Sequence, residues 1–215
     1  AVAESCRRHG VLLIADEVMT GIGRTGRWFG VDHWGVRPDV LTSGKGSTSG
    51  YFPFGLTACS GEVFETVREH GFVHGFTWSH NGVGAAVAHA ALRRLQDGDL
   101  VEASARQGER LLKSLSSALA DEPSVGDVRG IGLMVGVELV ADRASKAPFP
   151  RALQTTERAV AAAREAGLLL YSSTGHVDGR DGDLVMLGPP FVISDEECDL
   201  VVELTAAAIT SPRSA

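Results

Sequence analysis

The chain has 215 residues, 44% hydrophobic and 22% charged, which suits one globular domain or one and a half with ample apolar material for a core. A formal net charge of -7 without clustered Lys and Arg argues against nucleic acid as a partner. Cys6, Cys59 and Cys198 stand far apart with no C-x-x-C pair, so reduced thiols in a cytoplasmic protein are expected, and no run approaches the roughly 20 apolar residues of a membrane span.

Ala1 opens inside a helix-like stretch, "AVAESCRRHG", that has no cap, so an upstream segment is expected. "VLLIADEV", Val11 to Val18, reads as a strand of a mostly parallel sheet, buried on both faces by helices, and it ends abruptly in Asp16 and Glu17. "RPDVLTSGKG" repeats the design, with Val40 to Thr42 running into Ser43, Gly44, Lys45 and Gly46. Ligands in open parallel sheets sit at the carboxyl ends of strands, so both polar clusters fall where a site belongs. The intervening "RWFGVDHWGVRP" lacks a helical stripe and reads as loop. Leu56 to Cys59 is a third strand, "GEVFETVREHG" a short helix, and the stretch from Gly82 to about Pro123 is helical with a break at Asp97 to Asp99.

The pattern changes beyond Pro123. "VRGIGLMVGVELV" reads as a strand pair or one long bent strand, and Arg151 to Gly167 as an amphipathic helix stopped by glycine. "GLLLYSS" and "DLVMLGPPFVI" are strand candidates, and "SDEECDLVVELTAAAI" opens a helix with Ser194 as N-cap and Glu197 three residues on, a capping box. The organisation expected is an α/β domain over residues 1–100 and a smaller α+β domain over 101–215, with the junction between Gln96 and Val125.

Several motifs fail on context. "GIGRTG", Gly21 to Gly26, fits G-x-G-x-x-G, but loop rather than helix follows it, and Asp39 and Glu62 stand at the wrong distance for a ribose contact. "TSGKGST" departs from a P-loop because Lys45 is followed by Gly46 and Asp39 occupies the place of the first glycine. His70 and His74 lack the glutamate of a zinc helix and are interrupted by glycine, and no serine sits in a G-x-S-x-G elbow. No metal site is expected.

Lys45 lies between two glycines at the end of a strand, where a dry pocket would let its amine lose a proton and attack a carbonyl. Asp16 ends the neighbouring strand, where a carboxylate can pair with a cationic ring nitrogen. An amine for an aldehyde and an anion for a protonated pyridine are what pyridoxal phosphate requires. A solvated loop lysine and a turn-capping aspartate fit the same spacing, so the spacing alone leaves both readings open.

The ordered stretch "LLIADEVMTGIGRTGRWFGVDHWGVRPDVLTSGKGSTSGYFPFG" resembles the signature region of class III pyridoxal-phosphate aminotransferases, the fold type I group with the ω-amino acid, ornithine and taurine enzymes. The likeness continues through "HGFTWSHNGVGAAVAHAAL" and "VRGIGLMVGVELV" to "GPPFVISDEE". It implies the C-terminal part of a large pyridoxal-phosphate-binding domain followed by a small C-terminal domain, with pyridoxal 5'-phosphate as cofactor. By the same resemblance, Lys45 matches the lysine of the internal aldimine, Asp16 the partner of the pyridine nitrogen, and Val18 the aliphatic residue on the ring face. Thr77 in "GFTWS" matches a threonine that reaches the phosphate bound by the neighbouring subunit, which implies a homodimer. The reaction implied moves an amino group from an amine or ω-amino acid to an oxo acid such as pyruvate. An aminomutase, a decarboxylase or a non-catalytic remnant on the same scaffold are the alternatives.

The departures concern substrate. Met19 stands where many relatives carry a Gln whose amide bonds the cofactor's O3′, and a thioether cannot donate that bond. Met186 occupies the place of the arginine with which ornithine-type enzymes clamp a carboxylate, so substrates anchored that way are less expected. Arg180 is either a replacement charge or part of a solvated loop. The family's members are considerably longer, and the 215 residues by themselves are expected to be unstable or inactive.

Overall fold

Helix α1 (Val2–His9) opens the computed structural model, which describes residues 1–210. These residues divide into two units, Ala1–Glu102 and the chain from Ala103 onward. Gly10 ends α1 in the left-handed conformation at φ 63°, its N–H turned back to the carbonyls of Arg7 and Cys6.

In the first unit, β1 (Ile14–Asp16) runs parallel to β2 (Val40–Ser43), and β3 (Leu56–Cys59) completes a three-stranded sheet antiparallel to β2. The sequence overstated β1 in two respects. Only three residues of the apolar run pair as strand, and Ile14 is 64% exposed rather than buried on both faces. The reason lies in the neighbours: neither α1 nor α2 (Gly61–His70) contributes a buried residue, so neither covers an apolar face. The stretch read as loop between β1 and β2 contains a 3-10 helix, Gly30–Trp34. Ser60 caps α2 by accepting the Val63 N–H at 3.3 Å, and Asn81 caps α3 (Gly82–Asp97) by accepting that of Gly84 at 3.0 Å. A Cβ on Gly84 would lie 2.9 Å from the Phe52 ring, so glycine lets α3 press against the loop that follows Lys45.

The unit boundary falls in the first turn of α4 (Leu100–Ala118). The second unit then adds β4 (Val125–Gly130), β5 (Val135–Leu139), α5 (Thr155–Glu165), β6 (Tyr171–Thr174), β7 (Asp183–Leu187) and α6 (Asp195–Thr210). "VRGIGLMVGVELV" is resolved as a strand pair, and the antiparallel sheet runs in the order β4-β5-β7-β6. Alternate residues of β5 and β7 point into the core, Val135, Val137 and Leu139 with Val185 and Leu187. Leu111 and Leu115 of α4 and Leu119 just past its end are spaced four residues apart and, with Phe149, Cys198 and Val202, close the same cluster. The capping box of α6 is present, with Ser194 Oγ accepting the Glu197 N–H at 3.2 Å and Glu197 Oε2 accepting that of Ser194 at 2.8 Å. Among the described residues, no helix is long and apolar enough to cross a membrane.

Candidate active site

The parallel pairing of β1 with β2 decides the geometry. Its register sets Asp16 opposite Thr42, and the Glu17 N–H extends the ladder to the Thr42 carbonyl at 2.9 Å. Both strands therefore end at one edge of the sheet, and the chain leaves β1 through Glu17 and Val18 and β2 through Gly44 and Lys45. Asp16 and Lys45, far apart in sequence, both emerge there and both are exposed. Asp16 Oδ1 accepts the Val18 N–H at 3.0 Å, which fixes the carboxylate's orientation. Among the described residues Lys45 makes no ion pair.

Lys45 begins a short 3-10 helix, Lys45–Thr48, with a backbone φ of 33°. Left-handed backbone at a residue with a side chain is strained and persists only where its surroundings fix it. Those surroundings are tight. A Cβ on Gly44 would lie 3.3 Å from the Phe54 carbonyl oxygen and 3.8 Å from Val18 Cγ1, and one on Gly46 would lie 3.3 Å from Ile22 Cβ. Beneath the turn, the buried hydroxyls of Ser43 and Ser47 meet at 3.3 Å, and the Ser47 N–H donates to the Gly44 carbonyl at 2.8 Å. Val18 thus packs beside the Lys45 turn, and Ile22 of "GIGRTG" packs on its other glycine.

Thr77 lies in the turn at 77–80 that precedes α3; it is exposed, and no hydrogen bond joins it to Asp16 or Lys45. Met19, beside Val18, is exposed. Met186 lies in β7, in register with Gly136 and Tyr171. Arg180 is exposed in a loop organised by Asp178, whose Oδ1 accepts the N–H groups of Arg180 at 2.9 Å and Asp181 at 2.7 Å. Those bonds hold the Asp178 carboxyl below its ordinary range.

Sequence reasoning placed Glu17 in the polar cluster at the end of the first strand but gave it no role. This acid is 3% exposed, and its carboxylate accepts three hydrogen bonds, from the N–H groups of Gly30 and Val31, each at 2.8 Å, and from Thr20 Oγ1 at 2.5 Å. The signal available was "GIGRTG" itself, since a glycine-rich segment that doubles back can turn backbone N–H groups toward a buried acid. Burial also pushes the Arg24 guanidinium of that loop below its ordinary pKa.

The donor set suits pyridoxal phosphate: an exposed amine and an exposed carboxylate share one sheet edge, an aliphatic side chain flanks them, and two closely packed glycines fix the lysine's turn. A family model described as aminotransferase class-III matches residues 1–209. An uncharacterized aminotransferase of Bacillus subtilis (strain 168), YodT, is 37% identical over 98% of this chain and 48% of its own length. The taurine–pyruvate aminotransferase of Bilophila wadsworthia (strain 3_1_6) is 34% identical over 98% and 47%, respectively. Among solved structures, a thermostable (S)-enantioselective omega-transaminase from Thermomicrobium roseum superposes with a TM-score of 0.89 at 42% identity, over 97% of this chain and 45% of that one. The chain spans about half the length of the curated relatives it matches.

Proposed function

The chain belongs to the class-III aminotransferase family, and on that premise we propose that it serves pyridoxal-phosphate-dependent transfer of an amino group from an amine or ω-amino acid to an oxo acid such as pyruvate. The observation that carries the reading is the convergence of Asp16 and Lys45 at the carboxyl edge of two paired parallel strands, with Val18 against Gly44. Pyridoxal phosphate, when bound, supplies an aldehyde for an amine and a pyridine ring that draws electrons from the attached carbon. In this reading Lys45 Nζ would hold the aldehyde, and as a free amine it would be the base that takes a proton at the donor's Cα and returns it to the carbon of the former aldehyde. Asp16 would pair with the ring nitrogen and keep it protonated, its carboxylate already oriented by the Val18 N–H. Val18 would cover a ring face, and Thr77 would reach the phosphate of a group bound by the other subunit of a homodimer. Met186 offers no bidentate fork for a carboxylate, which favours donors not anchored in that way.

The test is alanine formation from pyruvate with a panel of amines and ω-amino acids, using the full-length protein. The wild type is expected to produce alanine with at least one donor, and Lys45→Ala to lose that activity by a factor of about a thousand or more, as for loss of an essential nucleophile and base. Turnover in Lys45→Ala equal to the wild type would refute the assignment.

A further inference from the structure

We propose that Glu17 is a positioning residue for Lys45: its buried carboxylate closes the loop that carries Ile22, and Ile22 holds the Lys45 turn through Gly46. The chemical consequence rests on the transamination reading above; the mechanical coupling is open to test without it.

The three donors to Glu17 come from both ends of one loop. Thr20 precedes "GIGRTG", whereas Gly30 and Val31 lie beyond it, and the bonds from both sides converge on one carboxylate. Close approach is built into the backbone, since a Cβ on Gly30 would sit 3.2 Å from Glu17 Oε2 and one on Gly21 would sit 2.6 Å from the Glu17 carbonyl oxygen. Glu17 makes no ion pair among the described residues, so the loop's own N–H and O–H groups compensate its burial. Inside this closed loop, Ile22 is 5% exposed and has a φ of 57°, a left-handed conformation that a β-branched residue adopts only when forced. Its Cβ meets the space above Gly46, next to Lys45, which is itself left-handed. Two strained residues thus abut across one glycine, and the closure that constrains the first constrains the second.

The choice of acid matters. A carboxylate accepts with both oxygens, whereas the amide of glutamine would turn an NH₂ toward one set of these donors. Glu17→Gln therefore opposes a donor to a donor at nearly constant volume, Ile22→Gly removes both the Cβ and the Cγ2 that face Gly46 together with the left-handed strain, and Thr20→Val removes a single donor.

The experiment measures amide hydrogen exchange over residues 44–49 in the cofactor-free full-length protein, together with kinetics and visible circular dichroism of the loaded protein. Glu17→Gln and Ile22→Gly are each expected to speed exchange at Ser47 and Ser49 about tenfold or more, and the double variant to add little, as for two groups acting through one contact. Thr20→Val is expected to move exchange in the same direction by less. In the loaded protein, Glu17→Gln is expected to lower kcat by roughly tenfold or more with KM within about threefold, and to change the dichroism of the bound cofactor, because misplacement of a reacting group acts on the chemical step. Unchanged exchange over 44–49 in folded Glu17→Gln, or in Thr20→Val where Glu17→Gln does not fold, would overturn the proposal. Failure of the wild type to take up cofactor would overturn the transamination reading instead and leave the coupling to be decided by exchange.

Discussion

Glu17 and Asp183 solve one problem in the same way. Each is a carboxylate almost wholly removed from water, and each is satisfied by a threonine hydroxyl together with backbone N–H groups rather than by a cation. Asp183 Oδ1 accepts the Thr156 hydroxyl at 2.7 Å and its N–H at 3.2 Å, which ties the first turn of α5 to the start of β7. Asp183→Ala leaves those donors without an acceptor and is expected to lower stability by about 2 kcal/mol in urea unfolding followed by circular dichroism. An unchanged midpoint would show that other acceptors or water serve Thr156 equally well. At this scale the placement of Asp16 and Lys45 at strand ends was legible, Asp16 because it interrupts an apolar run and Lys45 because it stands between two glycines. Glu17 stayed hidden because its main partners are backbone N–H groups, which carry no residue signature and become visible only once "GIGRTG" has folded back.

The second unit was the more legible one at the level of elements. β5 and β7 alternate strictly between core and surface, and α6 carries its start signal in Ser194 and Glu197, so local pattern and tertiary role agree. β1 was less legible, since an apolar run predicts burial only if something covers it. The 3-10 helix at Gly30–Trp34 carries no sequence signature because a five-residue turn offers no 3.6-residue stripe. Gly108 shows how packing overrides propensity. Within most helices alanine would be preferred to glycine, but a Cβ here would fall 2.1 Å from the carbonyl carbon of Gly132, so α4 rests directly on the turn between β4 and β5. Gly108→Ala is expected to destabilise the protein by roughly 1–3 kcal/mol, the usual range for overpacking, read as a lowered melting temperature. A raised one would mean that the turn yields freely.

For the molecule as a whole, the two units differ in how completely they bury apolar side chains. The second closes a core around Leu111, Leu115, Val135 and Val185, whereas in the first Val11, Leu12 and Ile14 are more than half exposed. The chemistry proposed depends on the first unit alone for Asp16, Val18 and Lys45, which is why strand register rather than core packing carries the functional reading. That reading has one direct test. The full-length protein, incubated with pyridoxal phosphate and reduced with borohydride, is digested, and its peptides are weighed by mass spectrometry. The account predicts a stable phosphopyridoxyl mass increment on the peptide containing Lys45, abolished in Lys45→Ala; an increment confined to another lysine, or none in the wild type, would contradict it.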